Sequence, residues 1–171
     1  MKKKLECLGF PPCIDNKCTT IILGSMPGVT SLAARQYYAH PQNRFWRLMF
    51  RLLDDTSEVP ADYQARLSLL LRHHIALWDS IDSCDRQGSL DSDIKNETGS
   101  DISSLLDAYP NIRTICLNGA KSFQAFRKYN RSLLDRPQLV IRPLPSTSPA
   151  NARWSFDRLL PVWQKALKEN I

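Results

Sequence analysis

The chain is expected to fold as a single three-layer α/β/α domain around a central, mainly parallel four-stranded sheet. Three observations predict this. Short apolar runs of strand length alternate with stretches of helical period, an order that builds right-handed βαβ units. The polar segments rich in glycine, proline and asparagine fall at the carboxyl ends of those runs, where open α/β sheets bind ligands. With 171 residues, 43% hydrophobic and 23% charged, one domain spanning 1–171 is large enough to bury about two-thirds of its unfolded surface.

Taken in order, residues 1–18 carry Pro11-Pro12 and scattered cysteines, and read as an irregular leader covering the sheet edge or the mouth of a site. Thr19 to Leu23 is a buried strand, broken by Gly24, Pro27 and Gly28, a loop whose backbone can approach a ligand closely. Ser31 to Tyr38 suits a short helix, and Pro41 is placed to open a longer one to about Leu53, since proline is tolerated in a first turn. Ala61 to His73 repeats Tyr63, Leu67, Leu70 and Leu71 at helical spacing. His74 to Trp78, bounded by Asp79-Ser80, is a second strand ending at the site. Ser80 to Gly99 is polar and extended and reads as a long functional loop. A helix over Ile102 to Ala108, a strand over Ile112 to Leu117, a turn at Asn118 leading into a helix to Tyr129, a strand over Leu139 to Arg142 and a helix over Trp154 to Lys168 complete the chain.

Composition narrows the function. No apolar run reaches the roughly 20 residues of a membrane span, and Lys2-Lys3-Lys4 is not followed by the apolar stretch of a secretory signal, so a cytoplasmic protein is expected. Cys7, Cys13, Cys18, Cys84 and Cys116 form no Cys-x-x-Cys pair; reduced thiols with no metal and no cofactor are expected. The net charge of +6 suits a polyanionic partner, with Arg44, Arg47 and Arg51 at helical spacing and Arg153 and Arg158 near the end of the chain.

Chemistry concentrates in two stretches. Gly24-Ser25-Met26-Pro27-Gly28 makes a floor for something flat, and Tyr37-Tyr38-Ala39-His40-Pro41-Gln42-Asn43-Arg44-Phe45-Trp46 follows it. Tyr38 and Phe45 offer π-faces and Asn43 offers donors and acceptors, a combination that suits a nucleobase. The second stretch is Leu144-Pro145-Ser146-Thr147-Ser148-Pro149-Ala150-Asn151-Ala152.

These two motifs, in this order, resemble motifs one and two of the uracil-DNA glycosylase superfamily, and the resemblance spans roughly residues 19 to 165. The Met26 form of the loop and the Tyr-Tyr-Ala-His-Pro run are most similar to its hypoxanthine-DNA glycosylase (DNA-deoxyinosine glycosylase) branch. The resemblance implies a monofunctional glycosylase of base excision repair that flips a deaminated base out of damaged DNA, double- or single-stranded, and hydrolyses its N-glycosidic bond, with hypoxanthine the first candidate and uracil the second. It implies that Gly24, Ser25, Met26, Pro27, Gly28, Tyr38, Phe45 and Asn118 bind the base. It further implies that Pro145, Ser146, Thr147, Ser148, Pro149, Ala150, Asn151 and Arg153 wedge into the duplex and contact phosphate. A monomer is expected.

Where related branches place an asparagine or an acid inside the first loop, this chain has Met26, which can neither orient nor deprotonate water. Asn43 is therefore the expected catalytic residue, holding water for attack on a cationic sugar that needs only a weakly activated nucleophile. Two other readings were weighed. Ser25 as a hydrolase nucleophile lacks the glycine two residues earlier that a nucleophile elbow requires. A non-catalytic binder of damaged or single-stranded nucleic acid is compatible with the missing loop asparagine and the basic, aromatic-bearing surface.

Overall fold

The computed structural model describes residues 6–169; the Lys2-Lys3-Lys4 segment lies outside them. A four-stranded sheet forms the middle layer. Its strands are β2 (Thr20–Gly24), β3 (Ile75–Asp79), β6 (Thr114–Asn118) and β7 (Val140–Leu144), all parallel and in the spatial order β3-β2-β6-β7. The two most central strands are buried along their whole length, as a sheet covered on both faces requires.

Alternation along β2 divides the core. Ile22 points to one face, with Leu77, Cys116 and the helices α2 (Phe45–Leu53), α3 (Tyr63–Arg72) and α6 (Phe156–Lys168). Ile21 and Leu23 point to the other, with Ile115, Leu117, α4 (Ile102–Ala108) and α5 (Ala120–Tyr129). Trp163 and Phe45 fill the first layer and Phe126 the second, each completely buried. The expected three-layer architecture and parallel sheet are thus observed. No helix among the described residues is long and apolar enough to cross a membrane.

Three local expectations are corrected. Ser80 to Gly99 is not one loop: β4 (Ile81–Asp85) and β5 (Lys95–Gly99) pair antiparallel, and β1 (Glu6–Leu8) joins β4 on its other side in a small second sheet. The leader is accordingly not wholly irregular, and beyond β1 its Cys13 exchanges backbone hydrogen bonds with Leu77, protecting the open edge of β3. Finally, the helix expected from Pro41 begins only at Phe45, after the short α1 (Val29–Ala34) and a turn. The Asn43 side chain accepts from the Phe45 N–H at 3.0 Å, taking up a donor of the helix's first turn and setting its start.

Register is the feature that matters for function. Gly24 pairs with Asp79, Leu23 with Leu117, and Asn118 with Leu144, so Asp79, Gly24, Asn118 and Leu144 form one row across the carboxyl ends of the strands. The chain leaves β2 toward β3 and returns past it to β6, which makes the β2–β6 boundary the topological switch point where such sheets open a crevice.

The small sheet docks through a close approach at Gly99, where a Cβ would lie 2.1 Å from the Tyr129 ring; Tyr129 donates to the Glu97 carbonyl at 3.0 Å. Gly99→Ala is expected to lower stability by about 1–3 kcal/mol through overpacking, and because the Tyr129 Cβ itself would lie 2.4 Å away, adding Gly99→Ala to Tyr129→Gly costs little more than Tyr129→Gly alone. Thermal melts of the three variants measure this coupling.

Candidate active site at the strand ends

Above the row of strand ends lies a cavity of about 910 Å³, of the size that accepts a nucleobase with its sugar. It is lined by Gly24 to Gly28 from the first loop, Tyr38 and Asn43 from the segment after α1, Asn118 from β6 and Pro143 to Asn151 from the second loop. The two motifs, about a hundred residues apart in sequence, therefore wall one space.

Tyr38 has φ 54°, a left-handed conformation uncommon for a bulky residue and of the kind that structures sustain where function or packing demands it. Two contacts hold it. Its ring stacks on Phe45 at 4.0 Å between centroids, 23° from parallel, and its hydroxyl accepts from Asn118 Nδ2 at 3.1 Å. Phe45, expected to contact the base, is completely buried and absent from the cavity wall. It backs the Tyr38 ring, and Tyr38 lines the cavity.

Gly24 has a specific reason to be glycine: a Cβ there would meet Asp79 Oδ1 at 2.5 Å and the Tyr38 hydroxyl at 2.9 Å. A carboxyl and a phenol converge over that bare Cα. Asp79 is 4% exposed and its Oδ2 has no hydrogen-bond partner among the described residues. Burial pushes its carboxyl up to about 7, against the lowering pull of Arg86 and with a further push from Asp91. In the sequence Asp79 reads only as the end of a strand. An acidic residue closing an apolar run just before a serine also signals a turn, and only the packing above it distinguishes the two.

The first loop is tied by its carbonyls and open at its N–H groups. Gly24 and Ser25 carbonyls accept from Ser80 and Ile81, and among the described residues nothing accepts from the N–H of Ser25 or Met26. The Met26 side chain is turned down, buried with Ile81, Cys84 and Ala125. Over the cavity, the segment between β4 and β5 contributes Ser89, Leu90 and Asp91; Ser25 Oγ donates to Asp91 at 2.7 Å and the Val29 N–H donates to Ser89 Oγ at 2.9 Å.

A chain of hydrogen bonds crosses the site. Asn118 Nδ2 donates to Tyr38 and to Thr147 Oγ at 3.0 Å, and its Oδ1 accepts from the Thr147 N–H at 3.0 Å. Thr147 Oγ donates onward to Asn43 Oδ1 at 2.9 Å. Asn118, expected to bind the base, has both amide protons and one acceptor site of its oxygen engaged inside the protein. The Phe45 N–H can only donate, which fixes the orientation of Asn43: Oδ1 carries two donors and Nδ2 is unspent among the described residues.

The second loop differs in one respect from a simple wedge. Thr147 is completely buried and serves as the node under Asn43, so it is not a tip. Ser148 and Pro149 are partly exposed and Ala150 exposed. The loop is internally braced: Ser146 Oγ accepts from Ser148 N, Asn151 Nδ2 donates to the Ser146 carbonyl, and Trp163 Nε1 donates to Pro145. Arg44 turns inward, its guanidinium donating to the carbonyls of Thr147, Ser148, Asn151 and Trp154. Of the other arginines, Arg47 lies over Phe156 and Arg51 pairs with Asp55, whereas Arg153 is exposed beside the second loop. Among the described residues no three His, Cys, Asp or Glu side chains converge to hold a metal ion.

A parallel α/β sheet with a flat-walled cavity at its switch point, a stacking ring on one side and a proline-stiffened loop on the other, defines a class of enzyme that takes a planar ring out of its context. This chain belongs to the uracil DNA glycosylase superfamily, whose family model matches residues 11–167. It is 42% identical over 122 residues to a hypoxanthine DNA glycosylase of Methanosarcina barkeri, covering 71% of this chain and 74% of that protein. It is 37% identical over 150 residues to a hypoxanthine DNA glycosylase of Methanosarcina acetivorans, covering 88% and 91%. The solution NMR structure of an M. acetivorans protein suggested to be a uracil DNA glycosylase superposes with a TM-score of 0.81 at 33% identity, covering 96% and 98% of the two chains.

The Arg44 clamp can be tested directly. Arg44→Met removes the side-chain donor from four carbonyls; those of Thr147, Ser148 and Asn151 keep a backbone donor, whereas that of Trp154 loses its partner among the described residues, at about 1–3 kcal/mol if it stays buried and unsatisfied; Arg44→Lys restores charge without the planar fork. Both variants are expected to melt at lower temperature, with Met lower than Lys, and the second loop should become more sensitive to limited proteolysis than the rest of the chain.

Proposed function

We propose that this chain excises hypoxanthine from DNA, with uracil as a second substrate. It is a monofunctional DNA glycosylase of base excision repair. The observation that supports the reading is the single hydrogen-bonded chain Tyr38–Asn118–Thr147–Asn43, which joins an aromatic ring, an amide and the root of a stiff loop at the wall of one cavity. The names of the two Methanosarcina relatives support the choice of hypoxanthine.

In this reading the duplex yields one nucleotide, at a cost of a few kcal/mol for unstacking and unpairing. Tyr38 recovers part of it by stacking, and the N–H groups of Ser25 and Met26 bond the base edge. Ser148, Pro149 and Ala150 fill the vacated space. The scissile C1′–N bond lengthens toward an oxocarbenium-like sugar. Asn43 Nδ2 donates to a water oxygen and holds it against C1′. Its Oδ1 is already committed, so the amide positions the nucleophile and takes no proton, and the water loses its proton only as the C–O bond forms. The departing base gathers negative charge beside the start of α5, whose first residue Ala120 lines the cavity and whose N-terminus has no side-chain cap.

The cleavage is hydrolytic because a lyase step needs a free amine. The cavity's lysine among the described residues, Lys121, is bound by Glu97 at 2.8 Å. We also infer that the protein acts as a monomer in the cytoplasm.

The decisive assay incubates the protein with oligonucleotides carrying single deoxyinosine, deoxyuridine or undamaged bases and measures free base and alkali-labile sites. Hypoxanthine release is expected; binding with no release from any substrate would make the protein a binder of damaged DNA. Asn43→Ala is expected to lose at least a hundredfold in single-turnover rate while binding lesion DNA within about tenfold, and a loss under threefold would remove the water-holding role. Replacing Ser148, Pro149 and Ala150 with glycine, leaving the Thr147 side chain in place, should slow duplex release at least about tenfold more than single-strand release; an unchanged ratio would make the segment purely structural.

A further inference from the structure

One group in the cavity is used neither by the stacking ring, nor by the water-holding amide, nor by the wedge. Asp79 ends β3 in the same row as Gly24 and Asn118, lines the cavity, and faces the space where Tyr38 would hold a ring. It is more than nine-tenths buried, with Oδ2 unpartnered among the described residues. No cation pairs with it there: Arg86, also buried, donates to the Pro27 carbonyl, and Lys121 is taken by Glu97. Arg86 is near enough to favour the ionised form, but with Oδ2 unbonded and burial the larger effect the carboxyl costs more as an anion than as an acid.

We propose that Asp79 is a specificity-determining residue that reads the extruded base as a neutral carboxylic acid, its O–H donating to the exocyclic carbonyl of a six-membered lactam and its carbonyl accepting from the lactam N–H. This deepens, and rests on, the glycosylase reading above. Hypoxanthine presents that pair at O6 and N1, and uracil at O4 and N3. An ionised Asp79 offers two acceptors and repels the base carbonyl. The acid alone could pair an amino-bearing edge by shifting its proton, so rejection of adenine falls to the Ser25 and Met26 N–H groups, which a carbonyl satisfies and an amino group does not.

The environment supports the neutral form. Asp91, from the turn above, disfavours charge on Asp79 and Arg86 favours it, with burial the largest effect; Tyr37, Tyr38 and Tyr63, also within electrostatic reach, are neutral phenols and add no charge to the site. His40, exposed, lines the same cavity. The sign of the pH effect follows. Burial raises the Asp79 carboxyl to about 7, so the reading form is present below that pH and is lost as pH rises through it. Stability follows the same direction, falling from the unfolded-state carboxylate range up to about pH 7 and level above.

The test is the second-order rate constant for base release from deoxyinosine DNA between pH 5.5 and 9, for wild type, Asp79→Asn and Asp79→Leu. The wild-type rate should fall about tenfold per pH unit above about 7. Asp79→Asn, which keeps a donor and an acceptor but has no proton to lose, should lie within about tenfold of wild type at pH 6 and lack that limb. Any limb belonging to the substrate's own lactam N–H persists in both. Asp79→Leu should lose at least a hundredfold at pH 6 and lack the limb. Melting temperatures give a second readout: Asp79→Asn should exceed wild type most at pH 8.5, with the gap narrowing toward pH 5. Superimposable wild-type and Asn profiles overturn the proposal, as does an inactive, folded Asn variant. A wild-type rate that rises through pH 7 also overturns it and would make the carboxylate a base. Absence of release by wild type at any pH overturns the parent reading and this inference with it.

Discussion

Asn118 has two amide protons and one carbonyl oxygen, and the fold spends all three on joining its two loops. The protons go to Tyr38 and Thr147 and the oxygen accepts from the Thr147 backbone. The residue sits at the buried end of a central strand, where an unsatisfied amide would be costly, so the loops cannot drift from it freely. Everything described at the site depends on this. Tyr38 keeps a left-handed backbone because its hydroxyl is bonded below and its ring is stacked on Phe45, and Asn43 keeps its orientation because Thr147 and the start of α2 share its oxygen.

Arg44 makes the same join from outside. The second loop has no regular structure, and three of its carbonyls, with that of Trp154 just beyond it, turn toward one guanidinium. A planar fork with five donors can serve several acceptors at once, whereas an ammonium offers three on a flexible stem. This explains why a basic residue in the middle of the first motif is turned into the fold. It also moderates the meaning of a net charge of +6, since several of the arginines that suggested a polyanion are occupied within the fold.

The layers and the parallel sheet were legible because burial on both faces makes strands read as apolar runs, and helical period survives between them. The two motifs were legible because glycine and proline mark loops wherever they occur. What sequence did not reveal is what tertiary packing decides. Lys95-Asn96-Glu97-Thr98-Gly99 has no apolar face, yet pairs with Ile81–Asp85 at the edge of a second sheet. Pro41 suggested a helix start, but Asn43 two residues later is the stronger competitor because its side chain caps a first-turn donor. Thr147, small and polar between two prolines, reads as an exposed tip and is completely buried. Asp79 reads as a turn residue, and only register places it beside Gly24, where the missing Cβ leaves room for its carboxyl.

These connections bear on how a small wedge can serve catalysis. Thr147 lies between the part of the second loop that would enter DNA and the amide that would hold water, with no flexible segment between them. A force on Ser148 to Ala150 is carried to the loop's root, where Thr147 Oγ bonds Asn43 and Thr147 N bonds Asn118. A displacement on the order of 1 Å of a positioned group can cost a hundredfold in rate, so the water-holding geometry is sensitive to whether the loop is seated. Nor does the loop need a separate closing motion, because its internal bonds and the Arg44 carbonyl clamp already hold it formed. Pre-formed in this way, the loop loses little entropy on meeting DNA. Its small side chains cannot expel a well-paired base, so the energy of extrusion must come from the weakness of the pair and from what the cavity gives back to the ring.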